Sequence, residues 1–427
     1  MLQTLTILLF GRPIGVLRLE NDGYCAFQYT EAFCRTGIQP APLQMPSNPE
    51  RVYRFPGLGK DTFSGLPGMI ADSLPDSFGQ ALLNQWLTAQ GRPEGQANAL
   101  EKLSFLGTRG MGALEYRPAR ETYLSESSII ELQELIDTAQ KALVSKESFQ
   151  TCFRTREKAI ADILRIGTSA GGQRAKAVIA FNEKTGEIRS GQVEAPNDFD
   201  YWLIKFDGFD STGKPVDPAH FGRREYAFSQ SVQDAGIQME ECRLLEENGR
   251  AHFMTRRFDR DNRQKLHMQT LCGMAHYDFR MPGAYSYEQA FATIRRLGLG
   301  YESAEELFRR MVFNIISVNM DDHTKNISFL MERDGRWRLA PAYDMGFNYN
   351  PAGQWANAHQ MTLRGKRDNI SRSDLTEAAR EQDIRHPDEI IDEVEYGVLR
   401  FPEHAKEAGV PQREIDIIMQ YIQEKHI

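Results

Sequence analysis

One short segment concentrates residues whose types and order suit phosphoryl transfer. It reads SVNMDDHTKNISFLMERDGRWRLAPAYDM, from 317 to 345, and contains Asp321, Asn326 and Asp344. Transfer of a phosphoryl group to a hydroxyl needs a carboxylate near the hydroxyl proton, an Asn that helps to hold a metal, and a second Asp that links metal and nucleotide phosphates. All three residue types occur here in that order, so this segment is predicted to hold the reaction centre.

Asp321 is the candidate catalytic residue because it follows a strongly periodic helix, at a point where a side chain can face a cleft. The alternative is a solvated Asp that caps a turn, and the adjacent Asp322 is expected to point elsewhere. Lys325 is a second catalytic candidate that could stabilise charge on the transferred phosphate, or simply lie on the surface. His323 is a candidate ATP contact, although an imidazole at such a position is more often structural.

Two oxygen-bearing residues are candidate ligands of a metal. Asn326 would hold the ion between phosphates and contact ATP, as the Asn of a kinase catalytic loop does, and its alternative is a plain turn residue. A predicted strand from Trp337 to Leu339 leads to Asp344, and Gly346 follows closely. This arrangement is similar to the Asp-Phe-Gly motif of protein kinases, with Met in place of Phe. The alternative is an ordinary loop Asp.

The segment GTSAGGQRAK, from 167 to 176, predicts a glycine-rich turn between two strands. Gly171 and Gly172 would let backbone N–H groups approach the phosphates of ATP, and Thr168 and Ser169 are further candidate ATP contacts and phosphorylation sites. The segment is not a Walker A motif, because Gln and Arg stand where Lys and Ser/Thr are required. The alternative is an ordinary turn between strands.

Lys205 ends an apolar strand, YWLIKFDG, that follows the glycine-rich segment. A Lys in this place matches the nucleotide-binding lysine of kinases, and its alternative is an edge lysine with an extended stem. Glu225 lies in a predicted helix around 222 to 236 and is either the ion-pair partner of Lys205 or part of a surface charge pattern.

These residues need elements that bring them together, and the chain divides into three parts. Residues 1–120 predict a β-rich subdomain with turns at 11–13 and at 21–23, and residues 121–262 predict a sheet with the glycine-rich loop and Lys205. Residues 263–427 predict a helical lobe, whose clearest helix spans 303–320 and begins with a capping box of Ser303 and Glu306. The expected class is α+β: a bilobal protein-kinase-like fold with a small β-rich N-terminal subdomain and an all-α C-terminal lobe.

Composition narrows the possible classes. The 427 residues carry a formal charge of −8, which does not favour nucleic-acid binding by this chain alone. The five cysteines form no CxxC pair, so a disulfide framework or a zinc site is not expected. The cysteine pattern instead favours a reducing, cytoplasmic location. The N-terminal apolar run LTILLF is too short for a signal peptide, and no stretch approaches the about 18 apolar residues that would span a membrane.

Taken together, the motifs resemble those of the HipA-type serine/threonine kinases, the toxins of bacterial type II toxin–antitoxin modules. The resemblance is carried by ADSLPDSFGQ, TSAGGQRAKA, WLIKF, RRFDR, DDHTKN and APAYD. It implies that Asp321 is the catalytic Asp, that Asn326 and Asp344 bind Mg²⁺, and that Lys205 contacts the ATP phosphates. The chain departs from the family pattern at Asp322, where the family often has Gly or Arg.

The resemblance also implies regulation and partners. The loop around Thr168 and Ser169 would cover the nucleotide and be autophosphorylated, which in the family ejects the loop and stops the kinase, and either hydroxyl could be the site. A small helix-turn-helix, HipB-like antitoxin would be the partner, and DNA would be reached only through that complex. The substrate would be a translation-related protein such as an aminoacyl-tRNA synthetase.

The motifs are compatible with three different functions of the chain. The first is an ATP- and Mg²⁺-dependent serine/threonine protein kinase that acts as a toxin. The second is a catalytically weak kinase-fold corepressor that binds an antitoxin at operator DNA, and nucleotide binding without turnover would favour it. The third is a small-molecule kinase, which a panel of aminoglycoside, sugar and protein acceptors would distinguish.

Overall fold

The computed structural model describes most of the chain between residues 2 and 425. The described residues are 2–75, 79–80, 83, 97–119, 175–191, 194–208, 220–261 and 264–425. Hydrophobic periodicity also predicts helices after Pro75 and over 125–145, and the run IADILRIG predicts a strand. These three segments lie almost wholly outside the described residues. The glycine-rich loop, with Thr168, Ser169, Gly171 and Gly172, also lies outside the described residues.

The N-terminal part is built on a five-stranded antiparallel sheet. Its strands are β1 (Thr4–Leu9), β2 (Arg12–Leu19), β3 (Cys25–Tyr29), β4 (Val52–Tyr53) and β5 (Leu114–Arg117), in the order β4-β3-β2-β1-β5. The first hairpin turns at Phe10 and Gly11, whose φ angles of 52° and 77° are those of a two-residue hairpin turn. The predicted strands and the turn at 21–23 are confirmed. The first turn lies earlier than the predicted 11–13, because Arg12 and Pro13 already pair with β1.

Short helices cover one face of this sheet. They are α1 (Glu31–Cys34), α2 (Lys60–Phe63), α3 (Gly68–Ala71) and α4 (Ala99–Leu106). Helix α4 begins with a capping box, in which Asn98 and Glu101 each accept a hydrogen bond from the other's main-chain N–H. The apolar residues Ile7, Leu17 and Phe27 are fully buried beneath the helices and form a separate N-terminal core.

The middle part contains a second five-stranded antiparallel sheet and one long helix. Its strands are β6 (Lys176–Phe181), β7 (Ile188–Ser190), β8 (Asp200–Lys205), β9 (Cys242–Glu247) and β10 (Arg250–Arg256), in the order β7-β6-β8-β10-β9. Helix α5 (Phe221–Asp234) lies against the sheet so closely that a Cβ atom on Gly222 would stand 2.1 Å from the carbonyl oxygen of Ala251. The predicted strands around 178, 203 and 253 and the helix predicted around 222–236 are confirmed.

The C-terminal part is mainly helical, as predicted, but it is not all-α. Its helices are α6 (Leu271–Ala275), α7 (Tyr287–Arg296), α8 (Tyr301–Ile316), α9 (Arg372–Glu381), α10 (Pro387–Leu399), α11 (Phe401–Glu407) and α12 (Gln412–Glu424). After a short hairpin, β11 (Arg260–Asp261) and β12 (Gln264–Lys265), a three-stranded sheet joins β13 (His267–Thr270), β14 (Ser328–Met331) and β15 (Trp337–Leu339). Every residue of β14 is buried, so its backbone groups need partners on both sides.

Helix α8 forms the centre of this part, and three of the four residues predicted for its apolar face lie on it. The fourth, Val318, follows the helix, which ends at Ile316 and not near 320 as predicted. Leu307, Met311 and Ile315 are buried in the largest core of the molecule. The predicted capping box of Ser303 and Glu306 is wrong, because the helix begins at Tyr301 with Gly300 as its N-cap. Glu306 instead accepts hydrogen bonds from Arg310 at 2.8 Å and from the main-chain N–H of Gln238 at 3.1 Å.

Buried polar contacts join the N-terminal part to the remainder of the chain. The carboxylate of Asp72, just after α3, accepts from the main-chain N–H of Thr270 at 2.7 Å and from the Thr270 hydroxyl at 2.8 Å. Burial raises the pKa of Asp72 to about 6, although the charge of Lys325 and the Thr270 hydrogen bonds lower it.

In the described part of the chain, no helix is both long and apolar enough to cross a lipid bilayer.

The RRFDR segment, residues 256–260, also joins the N-terminal part to the remainder of the chain, through a cluster of charged side chains. Asp259 accepts two hydrogen bonds from Arg257, at 2.8 and 2.7 Å, and one from Arg260 at 2.6 Å. The same carboxylate accepts from the main-chain N–H of Gly112, next to β5, at 2.7 Å. Burial raises the pKa of Asp259, but the two guanidinium groups outweigh it and hold the pKa well below its ordinary value.

Replacement of Asp259 by Ala is expected to destabilise the protein by about 3–5 kcal/mol, because two buried guanidinium groups would lose their counter-charge. Urea or thermal unfolding measures the change. The matched control is Asp334→Ala, which removes an exposed carboxylate paired with Arg336. Equal unfolding midpoints for the two variants would contradict the structural role of the cluster.

Candidate active site

The loop that carries Asp321 begins directly after α8 and is held by backbone packing. Val318 has a φ of 56°, in a region that β-branched residues rarely occupy. It is fully buried, and its carbonyl oxygen accepts from the main-chain N–H of Asn348 at 3.2 Å. A strained residue persists only where surrounding contacts over-determine it, so this loop has a fixed path.

The carboxylate of Asp321 faces a partly open cleft, with 33% of the side chain exposed. Its Oδ1 accepts a hydrogen bond from the indole Nε1–H of Trp355, and the Nε2 atom of His323 lies 3.9 Å from the same oxygen. Burial raises the pKa of Asp321 and the charge of Asp344 raises it further, whereas His323 and Trp355 lower it; the net shift is upward. A carboxylate with a raised pKa is better able to take a proton.

Asp322 points away from the cleft, as the sequence predicts. Its buried carboxylate accepts from the Tyr287 hydroxyl at 2.8 Å and from the main-chain N–H of Gln360 at 2.7 Å. The Nδ1 atom of His359 lies 3.0 Å from its Oδ2. Asp322 is therefore an anchor that fixes the segment 359–360 against the catalytic loop.

Asn326 and Asp344 approach the cleft from two different segments. Asn326 ends a short 3₁₀ turn, and its Nδ2 donates to the main-chain carbonyl of Asp321 at 2.8 Å. The Oδ1 atom of Asn326 therefore points away from that carbonyl. Asp344 follows β15 with a φ of 53°. Asn319 connects the two segments, because its Oδ1 accepts from the Asp321 N–H and its Nδ2 donates to the Asp344 carbonyl, both at 3.3 Å.

Lys205 lies at the inner end of β8 and contacts two carboxylates. Its Nζ pairs with Glu225 on α5, which confirms the ion pair predicted from sequence, and with Oδ1 of Asp344. Burial lowers the pKa of Lys205, but Asp344 and Glu225 outweigh it and hold the pKa above its ordinary value. Burial raises the pKa of Asp344, but the charges of Lys205 and Lys176 outweigh this effect and bring the pKa below its ordinary value. Lys176 faces Lys205 across the strand pair.

His323 and Lys325, which follow Asp321 in the same loop, both lie against the ring of Phe279. The Nζ of Lys325 stands 4.9 Å from the centroid of the Phe279 ring, and the His323 ring packs edge-on against Phe279 at 5.2 Å. Within the described ranges, the buried Nδ1 of His323 has no hydrogen-bond partner. Lys325 therefore lies against Phe279, where its charge acts on Asp72, and His323 is packed between aromatic rings.

The donor set of the cleft suits Mg²⁺. Asp344 offers a carboxylate and Asn326 an amide oxygen, and both are hard oxygen ligands of the kind this ion prefers. The two carboxylates of Asp321 and Asp344 also repel each other, which contributes to the raised pKa of Asp321. A divalent cation would relieve that repulsion, so the residues present fit the ion.

Sequence reasoning did not identify several residues of this cleft. Lys176 was visible as the last residue of the glycine-rich segment, in a strand that pairs with β8. Asn319 and Trp355 carried no recognisable signal, since their roles depend on contacts with Asp344 and Asp321 that the chain makes only when folded.

The middle sheet with its helix and the mainly helical C-terminal part meet around a Lys, two Asp and an Asn. This arrangement defines a bilobal, protein-kinase-like protein. Residues 168–424 match the HipA-like C-terminal domain, and residues 5–117 match the HipA N-terminal domain. The chain therefore belongs to the HipA family, which confirms the resemblance read from its motifs.

Similar proteins agree with this assignment. The HipA of Shewanella oneidensis MR-1, solved in a complex with HipB and operator DNA, superposes with a TM-score of 0.70 over 98% of this chain and 95% of that chain. The sequence identity is 16%, so this likeness shows the shared fold. The Helicobacter pylori proinflammatory kinase CtkA covers 51% of this chain at 12% identity, but its TM-score of 0.33 supports no argument.

A curated relative is a putative kinase of Haemophilus influenzae. It is 27% identical over an alignment of 165 residues, and the match covers 33% of this chain. The match spans about half of the relative's length, 48%.

The two adjacent acids are expected to respond differently to substitution. Asp322→Ala should cost about 2–4 kcal/mol of unfolding free energy, because it leaves the buried donors of Tyr287 and Gln360 without an acceptor. Asp321→Asn should leave stability close to that of the wild type, since the side chain is partly exposed and keeps an oxygen for Trp355. Denaturant unfolding of both variants measures this, and equal losses would contradict the anchoring role of Asp322.

Proposed function

We propose that this chain is an ATP- and Mg²⁺-dependent serine/threonine protein kinase that acts as the toxin of a toxin–antitoxin module. The observation that carries the proposal is the double contact of Lys205 with Glu225 and Asp344. A kinase must have its lysine–glutamate pair and its metal-binding Asp in place at the same time. The pairing of Lys205 with both carboxylates is the arrangement that such a kinase would require, and it supports the proposal.

Each residue has one part in the proposed reaction. Lys205 would bind the nucleotide phosphates, and Lys325 would stabilise negative charge on the transferred group. Asn326 and Asp344 would hold Mg²⁺, which when bound neutralises charge on the phosphates. Asp321 would orient the acceptor hydroxyl and take its proton on Oδ2 as the hydroxyl oxygen bonds to the γ-phosphorus and the bond to the leaving ADP oxygen breaks. His323 and the loop residues Thr168, Ser169, Gly171 and Gly172 are proposed to complete the ATP site.

Regulation and partners are proposed by analogy with the family. Thr168 or Ser169 would be autophosphorylated. The Shewanella HipA forms a complex with HipB and operator DNA, which supports a small helix-turn-helix antitoxin as the partner here. The chain's charge of −8 supports contact with DNA through that partner rather than directly. The proposed substrate is a translation-related protein, such as an aminoacyl-tRNA synthetase, and the proposed location is the cytoplasm.

The test is incubation of the purified chain with Mg·ATP, followed by phosphate mapping by mass spectrometry. Asp321→Asn should lower phosphoryl transfer about 10²–10⁴-fold, because the acceptor proton loses its base, while nucleotide affinity is retained. Asp334→Asn, at an exposed site, is the control. Transfer by Asp321→Asn at the wild-type rate would contradict the assignment, and nucleotide binding without transfer in the wild type would favour a corepressor.

The toxin role has its own readout in cells. Expression of the wild-type chain should arrest growth, co-expression of the antitoxin should restore it, and Asp321→Asn should not arrest growth at matched protein level. Arrest by Asp321→Asn would show that toxicity does not depend on phosphoryl transfer.

A further inference from the structure

Trp355 touches the candidate catalytic carboxylate, although it lies in a segment with no recognised motif. Its indole Nε1–H donates to Oδ1 of Asp321. In the described part of the chain, no hydrogen bond is made to Oδ2 of Asp321, and the side chain is one-third exposed. One carboxylate oxygen is thus fixed and the other faces the cleft.

The segment that presents Trp355 is firmly attached to the catalytic loop. The Nε2 of Gln360 donates to the carbonyl oxygen of Trp355 at 2.6 Å and to that of Met320 at 3.1 Å. The main-chain N–H of Gln360 and the ring of His359 are bonded to Asp322. Both ends of the contact between Trp355 and Asp321 are therefore anchored to the same loop.

The Trp355 ring is also held from the side. Its centroid lies 6.2 Å from that of His323 and 6.4 Å from that of Phe279, and both pairs have edge-to-face geometry. Such aromatic pairs favour a defined ring orientation. The indole N–H is consequently aimed at Asp321 by packing as well as by its backbone.

We propose that Trp355 is a positioning residue that holds the Asp321 carboxylate by one oxygen, so that the other oxygen is presented to the acceptor hydroxyl. The proposal rests on the proposed kinase function and deepens it. A carboxylate in a partly open cleft rotates about its terminal bond, and each misaligned orientation is unproductive for proton transfer. A hydrogen bond from a neutral donor removes that freedom while leaving the negative charge on the carboxylate.

The first experiment measures ADP formation from Mg·ATP by Trp355→Phe, which keeps an aromatic ring but removes the N–H group. The rate at saturating Mg·ATP should fall about tenfold or more, as for loss of a hydrogen bond to a charged group, while the Kd for a non-hydrolysable ATP analogue stays within about twofold. The matched control is Trp337→Phe, which removes an indole hydrogen bond to the carbonyl oxygen of Gln39. It should leave both quantities unchanged.

The second experiment does not depend on activity. The chain has four tryptophans, so a ¹⁵N-labelled sample gives four indole N–H resonances, and the one missing from Trp355→Phe belongs to Trp355. In Asp321→Ala this resonance should move upfield and exchange faster with solvent, because its acceptor is gone. The other three resonances should stay in place and so report an intact fold.

The outcomes separate the inference from the function on which it rests. An unchanged rate in Trp355→Phe, with an active wild type, overturns the positioning role alone. A parallel loss of rate and nucleotide affinity would show a structural role, and an unmoved Trp355 resonance in Asp321→Ala would show that the hydrogen bond does not form. A wild-type chain that forms no ADP would overturn the kinase proposal together with the positioning role.

Discussion

The ion cluster around Lys205 is the interaction on which the arrangement of the cleft depends. A single ammonium group joins the sheet of the middle part, the helix behind it and the loop after β15, through Glu225 and Asp344. A buried ammonium with no counter-charge would be costly, so each carboxylate is required where it stands. Because Asp344 belongs to the C-terminal part, the same contact fixes how the two lobes meet.

A second constraint is the division of work between two neighbouring acids. Asp321 and Asp322 are adjacent in sequence, yet one faces the cleft and the other is buried among Tyr287, His359 and Gln360. The buried acid holds the segment that delivers Trp355 to the exposed acid. The residue that anchors the loop and the candidate catalytic residue are thus different side chains of the same dipeptide.

Local patterns predicted much of the fold and the principal residues of the cleft. The strands before Lys205, the helix with Glu225 and the helix before Asp321 each follow from hydrophobic periodicity, because burial of one face determines them. The capping box at Ser303 was wrong because the helix begins earlier, at Tyr301, and because Glu306 is engaged by Arg310 one turn on and by Gln238. The contact with Gln238 is tertiary, and a local rule does not register it. Asn319 and Trp355 were missed for the same reason, since their contacts join segments that are distant in sequence.

The most direct test of the account is whether nucleotide binding depends on a metal held by Asp344. Calorimetric titration of a non-hydrolysable ATP analogue, with and without Mg²⁺, compares the wild type with Asp344→Asn and with the exposed control Asp334→Asn. The account predicts that Mg²⁺ tightens binding about tenfold or more in the wild type and the control, and that Asp344→Asn loses this gain. Equal affinity with and without Mg²⁺ in the wild type, or a full Mg²⁺ effect in Asp344→Asn, would contradict it.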